Sequence, residues 1–185
     1  MQTKHRKRKM QYLLTLNWNR IDFVTLVDKY LSRYMKDLEA KAKEGRINEN
    51  ASIRDRQSII INAPIEKVWD ILTDIQHWPT WNKEIKSTKC SSLVEEGAKF
   101  DWHIRLTTFR SYIQAVNEPT LLSWTGKSKL MKSIFVWNLE ASDQQTIVTV
   151  EESIEGFVIP IFNNHSKLHD ILIDWLSALK RKSES

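Results

Sequence analysis

A single cysteine, Cys90, stands among 185 residues. No intramolecular disulfide can form, so the fold does not depend on an oxidising compartment. Cys90 has no basic or catalytic neighbour pattern and reads as an inert buried thiol. Glycine is scarce as well, with four in the chain and no phosphate-cradling loop among them. No apolar run reaches the about 18 residues that a membrane-spanning helix needs. Tyr12-Leu13-Leu14-Thr15-Leu16 behind basic residues imitates a secretory signal. The run is short, however, Asn17, Asn19, Arg20 and Asp22 follow at once, and no small-residue cleavage site is present. A cytoplasmic protein without a membrane span is expected. There is no HExxH, no cysteine pair, and no Ser-His-Asp signature that spacing alone can assemble. His165 and His169 share a helix face at i, i+4 but lack the further ligands that zinc needs. No metal and no cofactor are expected.

The charge balance excludes a second class. The net charge of +5 invites a nucleic-acid reading. Lys4, Arg6, Lys7, Arg8 and Lys9 account for it, because the remaining basic residues equal the 23 acidic ones in number. The basicity belongs to a tail, which reads as a solvated end, and no nucleic-acid partner is expected. Aromatic residues, by contrast, are in surplus. Eight tryptophans exceed what a core of this size needs, and they serve either to line an apolar pocket or to fill the core.

Periodicity divides the chain into residues 1–56 and 57–185. In the first part, Val24, Val27, Leu31, Tyr34, Met35 and Leu38 recur at helical spacing and predict an amphipathic helix over residues 20–44. Asn19 is placed to cap it and Gly45 to stop it. Residues 46–56 are polar and read as a linker. A stripe this apolar must be buried, on the domain or on a second copy, so a homodimer through residues 20–44 is one expectation. In the second part, a β-rich run at 58–62 precedes Pro64 and a helical insert containing Val68, Trp69, Ile71, Leu72 and Ile75, broken at Trp78-Pro79. Period-two texture follows, with Phe100, Trp102 and Ile104 alternating with Asp101, His103 and Arg105. Other strands are expected at 85–91, 108–116, 121–125, 133–140 and 146–153, joined by short links and therefore antiparallel. From about residue 164 the helical period returns in Leu168, Ile171, Leu172, Trp175, Leu176 and Leu179. The expected class is α+β: a curved antiparallel sheet wrapped around a long C-terminal helix, with a gap where sheet and rod diverge.

Six segments in this order carry a resemblance: IINAPIEKVWDILTDIQHWPTWN at 60–82, EEGAKFDW at 95–102, LLSWTG at 121–126, FVWNLE at 135–140, TIVTVEESIEG at 146–156 and LHDILIDWLSALK at 168–180. The chain resembles the START-like, or SRPBCC, superfamily with its helix-grip fold, in the bacterial polyketide-cyclase/dehydrase-like branch. The resemblance covers about two-thirds of the chain, and the first 56 residues have no counterpart in it. It implies an apolar cavity but no single function, since this fold hosts lipid carriers, hormone-binding proteins, cyclases and chaperone activators. Phe135 stands where many relatives carry a histidine, which implies a more apolar pocket.

Strand parity puts Trp102, Trp124 and Trp137 on the face toward the helix, either as pocket wall or as core. Trp81 follows the insert and is placed to close one end. Phe109 and Ser111 share a face with Ile113, while Arg110 points outward. Glu152 has the parity of Val148 and Val150 and so faces inward, unless fraying leaves it solvated. With Phe135 these residues make the expected ligand-binding set, and Glu152 is the one candidate acid or base. The leading expectation is a protein that binds an apolar, lipid-like or polycyclic, small molecule. The alternatives are a cyclase- or dehydratase-type enzyme using the same cavity, and an interaction module working through the N-terminal helix.

Overall fold

The computed structural model describes residues 20–90, 93–156 and 165–185. The chain forms two compact units, residues 1–37 and 38–185. Helix α1 spans Arg20–Lys43. In the first unit Tyr34 and Met35 are half-buried. Asn19 and the side chains of Val24, Val27 and Leu31 lie outside the described set.

In the second unit the same helix ends as its sequence foretells. Gly45 takes φ of 64°, its N–H donates to Ala42 O at 2.9 Å, and Arg46 N–H donates to Lys41 O at 2.9 Å. This is the left-handed stop that a glycine permits. Leu38 and Ala42 are buried here, and the Ser123 hydroxyl donates to Ala42 O at 2.6 Å. The linker expected over residues 46–56 is corrected by the structure. Ile47, Asn48 and Ala51 are buried, and strand β1 already begins at Ile53. Ile53, Asp55, Gln57 and Ile59 point one way and Arg54, Arg56, Ser58 and Ile60 the other. Polar residues thus occupy both faces of the first half of β1, which hides the strand from a hydrophobic pattern.

The insert comprises α2 (Ile65–Thr73), a 3₁₀ turn over Ile75–His77 and the short α3 (Trp78–Trp81). Pro64 sits just before α2 rather than inside its first turn. Six further strands follow: β2 (Ile85–Cys90), β3 (Lys99–Ile104), β4 (Thr107–Asn117), β5 (Leu121–Lys127), β6 (Met131–Ser142) and β7 (Gln145–Gly156). All pairs are antiparallel and the order is β1-β7-β6-β5-β4-β3-β2, so every link from β2 to β7 is a hairpin. Helix α4 (His165–Ser183) lies against β1 and α2. Its buried stripe is Leu168, Ile171, Leu172, Trp175, Leu176 and Leu179, as the spacing predicts. Cys90 is half-buried rather than buried. It lines a surface cleft of about 510 Å³ together with Trp69, Asp74, Val116 and Glu118, which none of Trp102, Trp124 and Trp137 lines.

Gly156 ends β7 at φ of 122°, a conformation that residues with a side chain rarely adopt. A methyl group there would run into the Leu130 carbonyl oxygen across the sheet. Gly156→Ala is therefore expected to destabilise the domain by about 1–3 kcal/mol in urea unfolding. An unchanged midpoint would show that this strand end is free to rearrange.

Candidate functional site

The inner face of the sheet is built in rungs fixed by register. One rung runs Phe100, Ser111, Gly126, Ser133, Ile154. The next runs Ile113, Trp124, Phe135, Glu152, Asp55. A third carries Leu122, Trp137, Val150 and Gln57. Side chains two apart on a strand point the same way, so these rungs form one surface. Trp102 stands beside the first rung, stacked on Phe109 with ring centroids 5.3 Å apart.

Most of that surface is ring against ring. Trp124 stacks on Phe135 at 5.0 Å and on Trp137 at 6.4 Å. Trp175 of α4 reaches Trp137 at 5.5 Å and meets Trp78 edge-on at 5.0 Å. Trp102, Trp124 and Trp137 are all essentially inaccessible. These rings are core as much as wall. Trp81, half-buried, meets Trp175 edge-on at 6.1 Å at the margin of the cluster.

Among the rings lie a few polar atoms with no hydrogen-bond partner among the described residues: Trp124 Nε1, Trp137 Nε1, Trp175 Nε1 and Ser133 Oγ. Ser111 is better placed, since its Oγ accepts from Trp102 Nε1 at 2.9 Å. Gly126 separates the two hydroxyls. A methyl group there would stand 2.7 Å from Ser133 Oγ and 3.3 Å from Ser111 Oγ, so the glycine leaves them room.

Glu152 is the exceptional member. It is 3 % exposed, so the inward orientation holds and the frayed, solvated alternative does not. It lies directly opposite Phe135, and no described residue donates a hydrogen bond to its carboxyl group. Burial alone pushes that carboxyl well above the usual carboxylate range. Its neighbour on β1 is treated differently. Asp55 Oδ2 accepts from Gln57 Nε2 at 2.9 Å and lies 3.2 Å from His169 Nδ1. His169 is thus engaged with Asp55 and with Gln57, 2.8 Å away. The side chain of His165, its expected companion, lies outside the described set. Arg110 is on the outer face, 3.2 Å from Asp101, as its parity requires.

Sequence reading missed Ser133, Gly126, Asp55 and Gln57. The signal for Ser133 was present, because it shares the parity of Phe135 and Trp137. Asp55 was lost with the linker, and Gln57 stood just ahead of the strand expected at 58–62.

Three solved structures share this architecture. A START superfamily protein from Mycobacterium smegmatis is similar at 16% identity over 71% of this chain and 97% of its own, with a TM-score of 0.62. A hypothetical protein from Helicobacter pylori is similar at 15% identity over 73% and 90%, with a TM-score of 0.64. The aromatase/cyclase ZhuI from Streptomyces sp. R1128 is similar at 11% identity over 71% and 93%, with a TM-score of 0.59. The class is therefore the START-like helix-grip domain. The profile of one family in that class, described as "Polyketide cyclase / dehydrase and lipid transport", matches residues 52–178, and the chain belongs to this family. No curated protein sequence matches the chain.

The buried carboxyl has a measurable consequence. With its folded value raised, the native chain keeps a proton that the unfolded chain releases in the ordinary glutamate range. Stability then falls as pH rises through that window. Glu155, raised in the same direction by burial, adds to the effect in the parent. Glu152→Gln removes only the contribution of Glu152. As pH rises above the ordinary glutamate range, the mutant's stability relative to the parent should improve in urea titrations. Parallel pH curves would mean that Glu152 ionises without penalty.

Proposed function

We propose that the domain holds an apolar small molecule, lipid-like or polycyclic, on the ring-lined inner face of the sheet. Its one polar group would be received at Glu152, Ser133 and Ser111. The observation that carries this reading is Glu152 itself. A carboxyl group buried on an aromatic face, with no hydrogen bond from any described residue, is unfavourable for folding alone. A ligand oxygen or hydroxyl would give it the partner it lacks. Trp102, Phe109, Trp124, Phe135 and Trp137 would supply apolar surface, and Trp81 the margin of the site. The unpaired indole N–H groups of Trp124 and Trp137 would be further donors for a ligand oxygen.

The same inner face supports a second reading. A protonated carboxyl group at Glu152, with Ser133 and Ser111 on the adjacent rung, could move a proton on a bound, folded chain, which is cyclase- or dehydratase-type chemistry. The two readings separate on turnover. Binding alone leaves the ligand unchanged, whereas the enzyme releases a dehydrated or cyclised product.

Native mass spectrometry of the freshly purified chain tests the common premise. One apolar molecule per chain is expected, released by organic solvent and identifiable in the extract. Glu152→Gln should retain it roughly tenfold less well, the usual consequence of removing one buried polar contact. A parent chain that carries no ligand and does not enhance the fluorescence of an apolar dye would overturn the proposal.

A further inference from the structure

The hairpin turns at the two ends of the sheet differ in charge. At one end lie the β2–β3, β4–β5 and β6–β7 turns, which contain Glu95, Glu96, Glu118 and Asp143 and no basic residue. At the other end lie the β3–β4 turn, Arg105-Leu106, and the β5–β6 turn, Ser128-Lys129-Leu130, with no acidic residue. Leucines project from both of these turns, Leu106 82 % exposed and Leu130 43 % exposed. A lone exposed leucine is ordinary. Two on neighbouring hairpin tips at the basic end of one sheet are a pattern.

The strands behind the tips reinforce the charge. Arg110, Lys127 and Lys132 stand on one rung of the outer face, three cations in register on adjacent strands. Like charges directly opposite one another are unfavourable in a sheet unless something offsets them. Asp101 offsets Arg110, Glu84 holds Arg105, and Glu155 stands opposite Lys132 at the far end of the rung. Lys127 and Lys129 make no ion pair among the described residues. Burial, and then the nearby Lys127, depress the Lys132 ammonium, as expected where cations are crowded.

We propose that this end of the sheet docks on an anionic lipid bilayer. Leu106 and Leu130 enter the interface, and Lys127 and Lys129 contact the lipid phosphates. Apolar tips ringed by cations suit such a surface, which is negatively charged outside and apolar a few ångströms below. The acidic turns at the opposite end give the domain one orientation on the bilayer.

Vesicle flotation tests this with the full-length chain. Vesicles of phosphatidylcholine alone are compared with equimolar phosphatidylcholine and phosphatidylglycerol. Binding is expected only to the anionic vesicles. Leu106→Asp with Leu130→Asp, and separately Lys127→Glu with Lys129→Glu, should each lower partitioning roughly tenfold, while Leu93→Asp at the acidic end changes nothing. The substituted side chains are solvent-facing, and an unchanged melting temperature confirms that the variants are folded. Three results would overturn the proposal: a parent chain that ignores anionic vesicles, paired variants that bind like the parent, which would assign binding to the basic residues 4–9, or an equal loss in Leu93→Asp.

Discussion

Contact between Trp175 and the rings of the sheet sets the spacing on which the rest of the domain depends. Trp175 lies on the buried stripe of α4 and touches Trp78, Trp81, Trp102 and Trp137. It therefore links the helix to the insert, to β3 and to β6 at once. Indoles are large and rigid, and packed interiors do not flow around such groups. The helix cannot approach the sheet more closely or slide along it without displacing several rings together. Trp78 is anchored independently, because its Nε1 donates to Leu72 O at 2.8 Å. The insert that interrupts the sequence between β1 and β2 is thus part of the same aromatic core.

That packing explains why the polar atoms inside are few and stranded. Indole nitrogens buried for the sake of their rings bring N–H groups that their apolar neighbours cannot satisfy. Trp102 has Ser111 and Trp78 has a backbone carbonyl, whereas Trp124, Trp137 and Trp175 have no partner among the described residues. A buried donor left unpaired costs about 1–3 kcal/mol, so three of them are a substantial fraction of a domain's stability.

The strands and α4 were legible because their pattern is produced by burial on one side. Where Phe100, Trp102 and Ile104 alternate with polar residues, parity states both the element and its face, and the structure agrees. Residues 53–56 defeated the same logic. Asp55 and Gln57 occupy inward positions as polar residues, satisfied by each other and by His169 from α4, some 110 positions away in sequence. No local pattern can announce a partner at that distance. Glu152 marks the intermediate case. Parity gave its face, but whether an inward position is covered depends on what packs over it.

Asp55 and Glu152 sit opposite one another on adjacent strands, so one register pair holds two carboxyl groups. Two like charges at such a separation are mutually unfavourable, and the two side chains meet different surroundings. Asp55 is half-exposed and has Gln57 and His169 at its oxygens. Glu152 is buried opposite Phe135 and has no hydrogen-bond donor among the described residues. Burial therefore makes charge on Glu152 costly and raises its pKa well above the usual carboxylate range. A protonated carboxyl can donate as well as accept, which an ionised one cannot. A proton kept on Glu152 by burial thus adds a donor to an inner face that already carries the indole N–H groups of Trp124 and Trp137.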